Sequence, residues 1–157
     1  MKIKLLAIGK TDNLHLQQLI DDYTKRLGFY ISFEIQIIQD LKNTKSISEI
    51  QQKEKEGKLL LKQIDPSDEV ILLDEKGKSY SSVAFSELLQ KKLNSGIKNL
   101  IFIIGGPYGF SEEVYQRANG KISLSAMTFS HQMVRLFFIE QLYRGFTILK
   151  NEPYHHR

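Results

Sequence analysis

The sequence has no cysteine among its 157 residues, which excludes a disulfide framework, a thiolate metal site and a cysteine nucleophile. No apolar run approaches the roughly 20 residues that cross a bilayer, and the apolar stretch near the start is too short for a signal peptide. Hydrophobic residues make up 41% and charged residues 25%, which is ordinary for a globular protein. We therefore expect one cytoplasmic domain over residues 1–157, without a membrane segment or a bound metal.

Charge is unevenly distributed along the chain, although the formal net charge is only +4. Residues 121–157 contain five lysines and arginines against two acidic residues, together with three of the four histidines. Such a basic segment is compatible with a polyanionic partner such as nucleic acid. The same total is also ordinary for a small globular domain, so charge alone leaves the partner open.

Short apolar runs alternate with segments of helical periodicity along the whole chain. The predicted strands are Lys2–Ile8, Ser32–Ile38, Glu69–Leu73, Leu100–Ile104 and Lys121–Leu124. Strands that alternate with helices are typical of parallel sheets. The sequence therefore predicts an α/β fold, with a largely parallel sheet flanked by helices.

One predicted helix differs from the others in its charge. Ser46 and Glu49 have the spacing of a capping box and predict a helix that continues to about Gln63. Within it, Lys53–Gly57 has almost no apolar face, which is typical of a solvated or mobile helix. Further along the chain, Asp74–Gly77 predicts a turn at the end of the third strand.

The last predicted helix, from about His131 to Lys150, is apolar on almost every side. Its apolar residues are Met133, Val134, Leu136, Phe137, Phe138, Ile139, Leu142, Tyr143, Phe146, Ile148 and Leu149. A helix of this kind is buried on most sides. Because the chain is small, burial against a second subunit is favoured, and we predict a homodimer with this helix in its interface.

Two connections that follow strands are candidates for ligand binding. Gly105–Gly109 follows an apolar strand, where glycine lets the backbone approach a ligand. It has neither the glycine spacing of G-x-G-x-x-G nor the lysine of a Walker A loop. Leu124–Phe129 offers small and hydroxyl side chains before a helix, which suit an adenine or a ribose. A tight turn and a plain strand–helix connection explain the same residues, so both alternatives stay open.

The segment Asn151–Arg157 is rich in groups that bind nucleic acid. Tyr154 can stack on a base, Arg157 can hold a phosphate, and His155 brings an imidazole, the side-chain type suited to proton transfer. We interpret this segment as functional. The sequence shows no Ser-His-Asp order, and its scattered histidines do not form a metal-binding set.

Four stretches together resemble one family. They are Phe102–Gly109, Leu124–Arg135, Ile139–Gly145 and Pro153–His155. In combination they look like the ribosomal RNA large-subunit methyltransferase H family, small SPOUT-class enzymes that methylate N3 of a pseudouridine in 23S rRNA. The resemblance covers the whole chain. It implies a SPOUT fold with a C-terminal trefoil knot, a homodimer, S-adenosylmethionine as the methyl donor, and the ribosome as partner.

The resemblance also implies which residues form the site. The cofactor contacts carried over by position are Leu73, Gly105, Leu124, Ser125, Ala126, Met127, Thr128 and Phe129. The C-terminal segment of one subunit is expected to reach the pocket of the other. His155 is then the candidate general base, with Tyr154 to orient the target base and Arg157 or Arg135 to supply positive charge. His131 is the competing base.

One departure from the family pattern concerns the end of the chain. Relatives often carry Pro-Tyr-His-Arg, whereas here His156 stands between His155 and Arg157.

Two functions from other classes also stay open. One is a nucleotide-binding or hydrolytic enzyme that uses Gly105–Gly109 for phosphate, and the other is a ribosome-binding protein without catalysis. Saturable binding of S-adenosylmethionine distinguishes the methyltransferase from both.

Overall fold

The computed structural model describes residues 1–156, along which strands and helices alternate. The strands are β1 (Lys2–Ile8), β2 (Ser32–Ile38), β3 (Glu69–Ser79), β4 (Asn99–Ile104) and β5 (Gly120–Ser123). The α-helices are α1 (Leu14–Leu27), α2 (Glu49–Leu61), α3 (Ser82–Asn94), α4 (Glu112–Arg117) and α5 (His131–Leu149). A 3₁₀ turn at Thr44–Ser46 precedes α2.

The strands form one sheet in the order β2-β1-β4-β3-β5, and each neighbouring pair is parallel. In β1, for example, Ile3 pairs with Phe33 of β2 on one side and with Leu100 of β4 on the other. Parallel pairing requires crossover connections, which the helices supply. The predicted α/β fold with a parallel sheet flanked by helices is confirmed.

Helices cover both faces of the sheet, so alternate residues of the central strands enter two separate cores. In β4, Phe102 faces α1, α3 and α5, whereas Ile101 and Ile103 face α2 and α4. Phe102 packs against the fully buried Phe138 of α5, with ring centroids 4.7 Å apart. Burying an aromatic side chain of this kind stabilises a fold by about 2 kcal/mol.

The prediction of a solvated or mobile helix over Lys53–Gly57 is wrong at its last two positions. Glu56 is 3% exposed and Gly57 is buried as well, while Glu54 and Lys55 point to solvent. The sequence pattern missed this because one buried carboxyl and one glycine do not form an apolar stripe. The helix also starts from a different capping box, in which Ser48 caps the N–H of Gln51.

Strand β3 does not end at the predicted Asp74–Gly77 turn. It continues to Ser79, with an irregularity in its pairing to β5 between Leu73 and Lys78. A Cβ on Gly77 would lie 2.6 Å from the backbone nitrogen of Ile122. Glycine is therefore required for the close approach of the two strands, which explains why a turn-forming residue lies inside a strand.

Helix α5 is capped by Ser130, whose side chain accepts from the N–H of Met133. Its inner face, including Phe138 and Phe146, is buried against α1 and α3. Its outer face leaves Met133 39% and Phe137 38% exposed. Within residues 1–156, neither this helix nor any other is long and apolar enough to cross a membrane.

Candidate active site

A cavity of about 380 Å³ lies at the carboxyl ends of β4 and β5, beside the irregular middle of β3. The carboxyl ends of parallel strands meet at one edge of a sheet, and this edge is where α/β proteins bind ligands. The walls are apolar side chains from β3, β4, the connection after β5 and α5, namely Leu73, Ile104, Leu124, Phe129 and Val134. The volume is within the range of small-molecule sites.

The predicted cofactor residues converge on this cavity from three distant parts of the chain. Those that line it are Leu73, Gly105, Leu124, Ser125, Met127, Thr128 and Phe129. Ala126 is exposed and does not line the cavity. The structure thus brings together the residues that the resemblance singled out, with one exception, and their contacts to a cofactor stay a prediction.

The glycine connection Gly105–Gly109 forms a tight loop over one side of the cavity. The N–H of Gly109 donates to the carbonyl of Gly106 over 3.1 Å, and Gly109 has a φ of +82°, which disfavours other residues. The next residue, Phe110, is 5% exposed and anchors the loop in the core. A Cβ on Gly105 would lie 3.1 Å from the Phe110 ring, so the loop has no room for a larger residue there.

The connection from β5 to α5 forms the opposite side of the cavity and holds its own shape. The hydroxyl of Ser123 donates to the carbonyl of Ser125 over 2.9 Å. The hydroxyl of Ser125 accepts from the N–H of Met127, also over 2.9 Å. His131 follows on the first turn of α5, exposed and lining the cavity. Among the histidines of residues 1–156, His131 is the one that borders this cavity.

Three charged residues that the sequence analysis predicted only as part of a turn border the same cavity. Asp74, Glu75 and Lys76 follow Leu73 directly and line the opening. The phenol of Tyr115 donates to Asp74, and burial together with this carboxylate raises the pKa of Tyr115 well above its usual range. The signal was present in the sequence as two acids directly after a buried strand.

Tyr154 and His155 lie elsewhere, in a group that we call the tail cluster: Tyr23, Glu140, Arg144, Tyr154 and His155. The phenol of Tyr154 donates to Glu140 Oε1 over 3.0 Å and lies 3.0 Å from the phenol of Tyr23. Arg144 donates to the same carboxylate oxygen at 2.5 and 3.1 Å, and its guanidinium lies 4.8 Å from the centre of the Tyr154 ring. Burial and these hydrogen bonds raise the pKa of Tyr154.

The imidazole of His155 is oriented by Arg144. Nη1 of Arg144 lies 3.3 Å from Nδ1 of His155, and because a guanidinium has no acceptor, Nδ1 accepts. In a neutral imidazole the proton is then on Nε2. Glu140 and Arg144, which hold this arrangement, were missed as site residues. Their signal was an oppositely charged pair four residues apart on an otherwise apolar helix.

The cavity and the tail cluster are at different positions along α5. His131 begins the helix and borders the cavity, while Arg144 lies thirteen residues further along. At a rise of about 1.5 Å per residue, this is a separation of about 20 Å along the helix axis. Neither Tyr154 nor His155 lines the cavity of its own chain.

Arg135 and Arg157 are the two arginines that the sequence analysis proposed as sources of positive charge. Arg135 is 2% exposed and donates to the hydroxyl of Thr11 and to the carbonyl of Ile8, at 3.0 and 2.7 Å. It does not line the cavity, so the expectation that it faces the reaction is wrong, and it joins α5 to the end of β1 instead. Arg157 lies outside the described residues.

Comparison with known proteins agrees with this architecture. The family model described as predicted SPOUT methyltransferase matches residues 1–155. The chain belongs to the SPOUT methyltransferase family. Proteins named ribosomal RNA large subunit methyltransferase H are similar over the full length of both chains, with 74% identity in Flavobacterium psychrophilum, 71% in Flavobacterium johnsoniae and 67% in Christiangramia forsetii. SPOUT methyltransferases use S-adenosylmethionine as the methyl donor.

The cavity fits this cofactor in size and chemistry. Apolar walls and the backbone of the glycine loop suit an adenine ring, and the hydroxyls of Ser125 and Thr128 suit a ribose. The carboxylates of Asp74 and Glu75 complement the positive sulfonium and ammonium groups, and Lys76 complements the carboxylate. Residues 1–156 contain no cluster of three or more histidine and acidic side chains that could hold a metal ion.

Proposed function

We propose that this protein uses S-adenosylmethionine to methylate N3 of a pseudouridine in 23S rRNA, on the assembled ribosome or its large subunit. The printed names of the relatives support large-subunit rRNA as the substrate. The observation that carries the proposal is the cavity at the carboxyl edge of the sheet, which brings together Leu73, Gly105, Leu124, Ser125 and Met127–Phe129. The proposal includes a single SPOUT domain over the whole chain, with a C-terminal trefoil knot.

The proposed active form is a homodimer in which each site is composite. Support comes from the separation of about 20 Å between the cavity and the tail cluster along α5. It also comes from the outer face of α5, where Met133 and Phe137 stay exposed and offer an apolar contact surface. In the dimer, the C-terminal segment of one subunit supplies His155 to the cavity of the other.

The residues of this chain have two tasks in the proposed reaction. S-adenosylmethionine brings an activated methyl group, so positioning of the acceptor and removal of its proton remain for the protein. His155 takes the N3 proton of the pseudouridine, for which Nδ1 must first part from Arg144. Arg144 then faces the imide anion as it develops, and Tyr154 orients the ring. Arg157 stays a candidate for the same charge, and His131 stays the alternative base.

The proposed substrate is a shaped surface of the ribosome rather than a short RNA sequence. A domain of 157 residues with a net charge of +4 has little surface for reading bases, and its basic side chains suit phosphates. We therefore place the protein in the cytoplasm, where ribosomes are. Association with ribosomes is expected to weaken steeply as salt rises, and efficient methylation of short naked RNA would contradict this substrate.

The deciding experiment is transfer of labelled methyl from S-adenosylmethionine to ribosomes from cells that lack this gene, followed by mapping of the label. Label on N3 of a pseudouridine in 23S rRNA is the expected result. Cofactor binding without label on ribosomes, subunits or free RNA would indicate a different acceptor. Absence of both would favour a ribosome-binding protein without catalysis.

A further inference from the structure

Helix α2, which has no part in the proposed reaction, contacts the glycine loop that borders the cavity. The helix packs against this loop, and two neighbouring residues of the helix touch residues near the start and just past the end of the loop. Glu56 contacts Gly106 at the start, and Gly57 contacts Ser111, just after the loop ends. Neither Glu56 nor Gly57 lines the cavity.

The contact between Glu56 and Gly106 leaves no space for a side chain at position 106. A Cβ on Gly106 would lie 2.7 Å from the carboxyl carbon of Glu56, and Oε2 is the atom nearest to that position. Gly106 does not have a positive φ, so its backbone suits other residues. A side chain at position 106 would therefore have to displace the carboxyl group of Glu56, whereas the backbone conformation itself admits other residues.

The carboxyl group of Glu56 is unusual for a purely structural contact. It is 3% exposed, and Oε1 accepts from the side-chain amide of Gln52 over 3.0 Å. Among the described residues, Oε2 has no hydrogen-bond partner. An unpartnered buried oxygen costs free energy that an apolar side chain would avoid. A carboxyl group is flat, however, and lies against the glycine where a branched apolar side chain would displace the loop.

The contact between Gly57 and Ser111, at the other end of the loop, is also tight. A Cβ on Gly57 would lie 3.2 Å from both Cβ of Ser111 and Cγ2 of Val114. Ser111 caps α4, where its hydroxyl accepts from the N–H of Val114. The helix therefore packs tightly against both ends of the loop, and a shift at Glu56 moves Gly106 relative to the fixed Ser111.

We propose that Glu56 is a positioning residue, which holds the Gly105–Gly109 loop in the shape that binds the cofactor. The inference rests on the proposed function, because it concerns the same cavity. Glu56 acts through Gly106 and touches no reacting group. Its loss is therefore expected to weaken S-adenosylmethionine binding, while the rate at saturating cofactor stays near that of the unchanged protein.

The test is a double-mutant cycle on the full chain, with the S-adenosylmethionine dissociation constant measured by calorimetry. Glu56→Ala is expected to weaken binding about tenfold, and Glu56→Gln, which keeps the shape, by less than about twofold. Gly106→Ala alone is also expected to weaken binding about tenfold, because its Cβ meets the carboxyl group. In the double variant the alanine at 106 enters the space that Glu56 leaves, so binding is no weaker than in Glu56→Ala alone.

Controls separate this outcome from general damage to the fold. Glu54→Ala removes an exposed carboxylate from the same helix and should leave binding unchanged. If Glu56→Ala does not fold, Glu56→Asp withdraws the carboxyl by one methylene and replaces it in the cycle. Unchanged binding in Glu56→Ala, or multiplied losses in the double variant, would overturn the inference. Failure of the unchanged protein to bind S-adenosylmethionine would instead overturn the proposed function.

Discussion

The cavity and the tail cluster are made of different kinds of groups, although α5 connects them. Around the cavity, the closest contacts come from glycine backbone and apolar side chains, with charge confined to the rim. In the tail cluster, Glu140, Arg144, Tyr154 and His155 are joined through ionisable groups. The first arrangement suits the binding of a flat, largely apolar ligand. The second suits proton transfer and the stabilisation of charge.

In the proposed reaction, this difference separates cofactor binding from proton transfer within one chain. A change at the cavity should alter affinity for S-adenosylmethionine, and a change in the tail cluster should alter turnover with affinity preserved. The separation is useful for experiment, because the two classes of variant have opposite signatures and each serves as a control for the other.

The largest expected effect comes from removal of the candidate base. His155→Ala should lower methyl transfer about a hundredfold or more, since general base catalysis contributes at least that much. The dissociation constant for S-adenosylmethionine should stay within a few-fold, because His155 does not line the cavity of its own chain. Single-turnover transfer to ribosomes measures the first quantity and calorimetry the second.

His156→Ala is the matched control, because it removes an exposed histidine one position further along. It should leave turnover nearly unchanged. If His155→Ala keeps its turnover while His131→Ala loses it, the base is the histidine at the cavity rather than the one in the tail cluster.

A change at the cavity should give the opposite signature. In Gly105→Val, the added side chain meets the Phe110 ring and the carbonyl carbon of Gly109, for which the Cβ distances are already 3.1 and 3.3 Å. The loop must shift, and S-adenosylmethionine binding should weaken by more than about tenfold. Gly120→Ala is the control, because a Cβ on Gly120 has nothing within 4 Å. Equal losses in both variants would point to general destabilisation.

Mixing the two kinds of variant tests whether the site is composite. A heterodimer of His155→Ala and Gly105→Val subunits has one site with both defects and one site with neither. Random association therefore restores about a quarter of the activity of the unchanged protein, since half of the dimers are mixed and each of these has one intact site of two. The assay uses S-adenosylmethionine at a concentration too low to load the valine variant. No recovery after mixing would place each complete site within a single subunit.

Smaller changes within the tail cluster should have proportionate effects. Tyr154→Phe removes the phenol that joins Glu140 and Tyr23 while keeping the ring beside Arg144. A hydrogen bond of this kind contributes about 1 kcal/mol, so turnover should fall about fivefold with unchanged cofactor affinity. Tyr80→Phe, which removes a phenol outside both regions, provides the comparison. A loss of affinity instead of turnover would assign Tyr154 to the cofactor.

The sequence predicted the cavity better than the tail cluster, for a physical reason. Gly105–Gly109 and Leu124–Phe129 follow strands of a parallel sheet, and topology alone brings such connections to one edge. The family resemblance supplied the individual positions. The partners of Glu140 and Arg144 depend on how the C-terminal segment folds back on α5, which periodicity does not report. Fold class and most strand limits were predicted because they follow from local apolar runs.

The burial of Glu56 could not be predicted from the sequence, for a related reason. Its neighbours Lys53, Glu54 and Lys55 are charged, and a helical pattern of this kind indicates solvent on every side. What buries the carboxyl is a glycine fifty residues further along, and only the packed structure brings the two together. The knot and the homodimer stay predictions of the family resemblance.

The smallest expected effect is a pH dependence of folding stability that comes from Glu56, next to the glycine loop, and not from the tail cluster. Burial raises the pKa of Glu56; the hydrogen bond from Gln52 partly offsets this, and the negative charge of Asp40 adds to it. When the pKa of a carboxyl group is higher in the folded than in the unfolded state, the protein becomes less stable as the pH rises from the unfolded pKa through the folded pKa. Glu56→Gln cannot ionise, so it should melt about 3 °C higher than the unchanged protein at pH 8. The difference in melting temperature should vanish in acid, and the control Glu54→Gln should show no difference at either pH. A difference that is independent of pH would mean that it does not come from ionisation of Glu56.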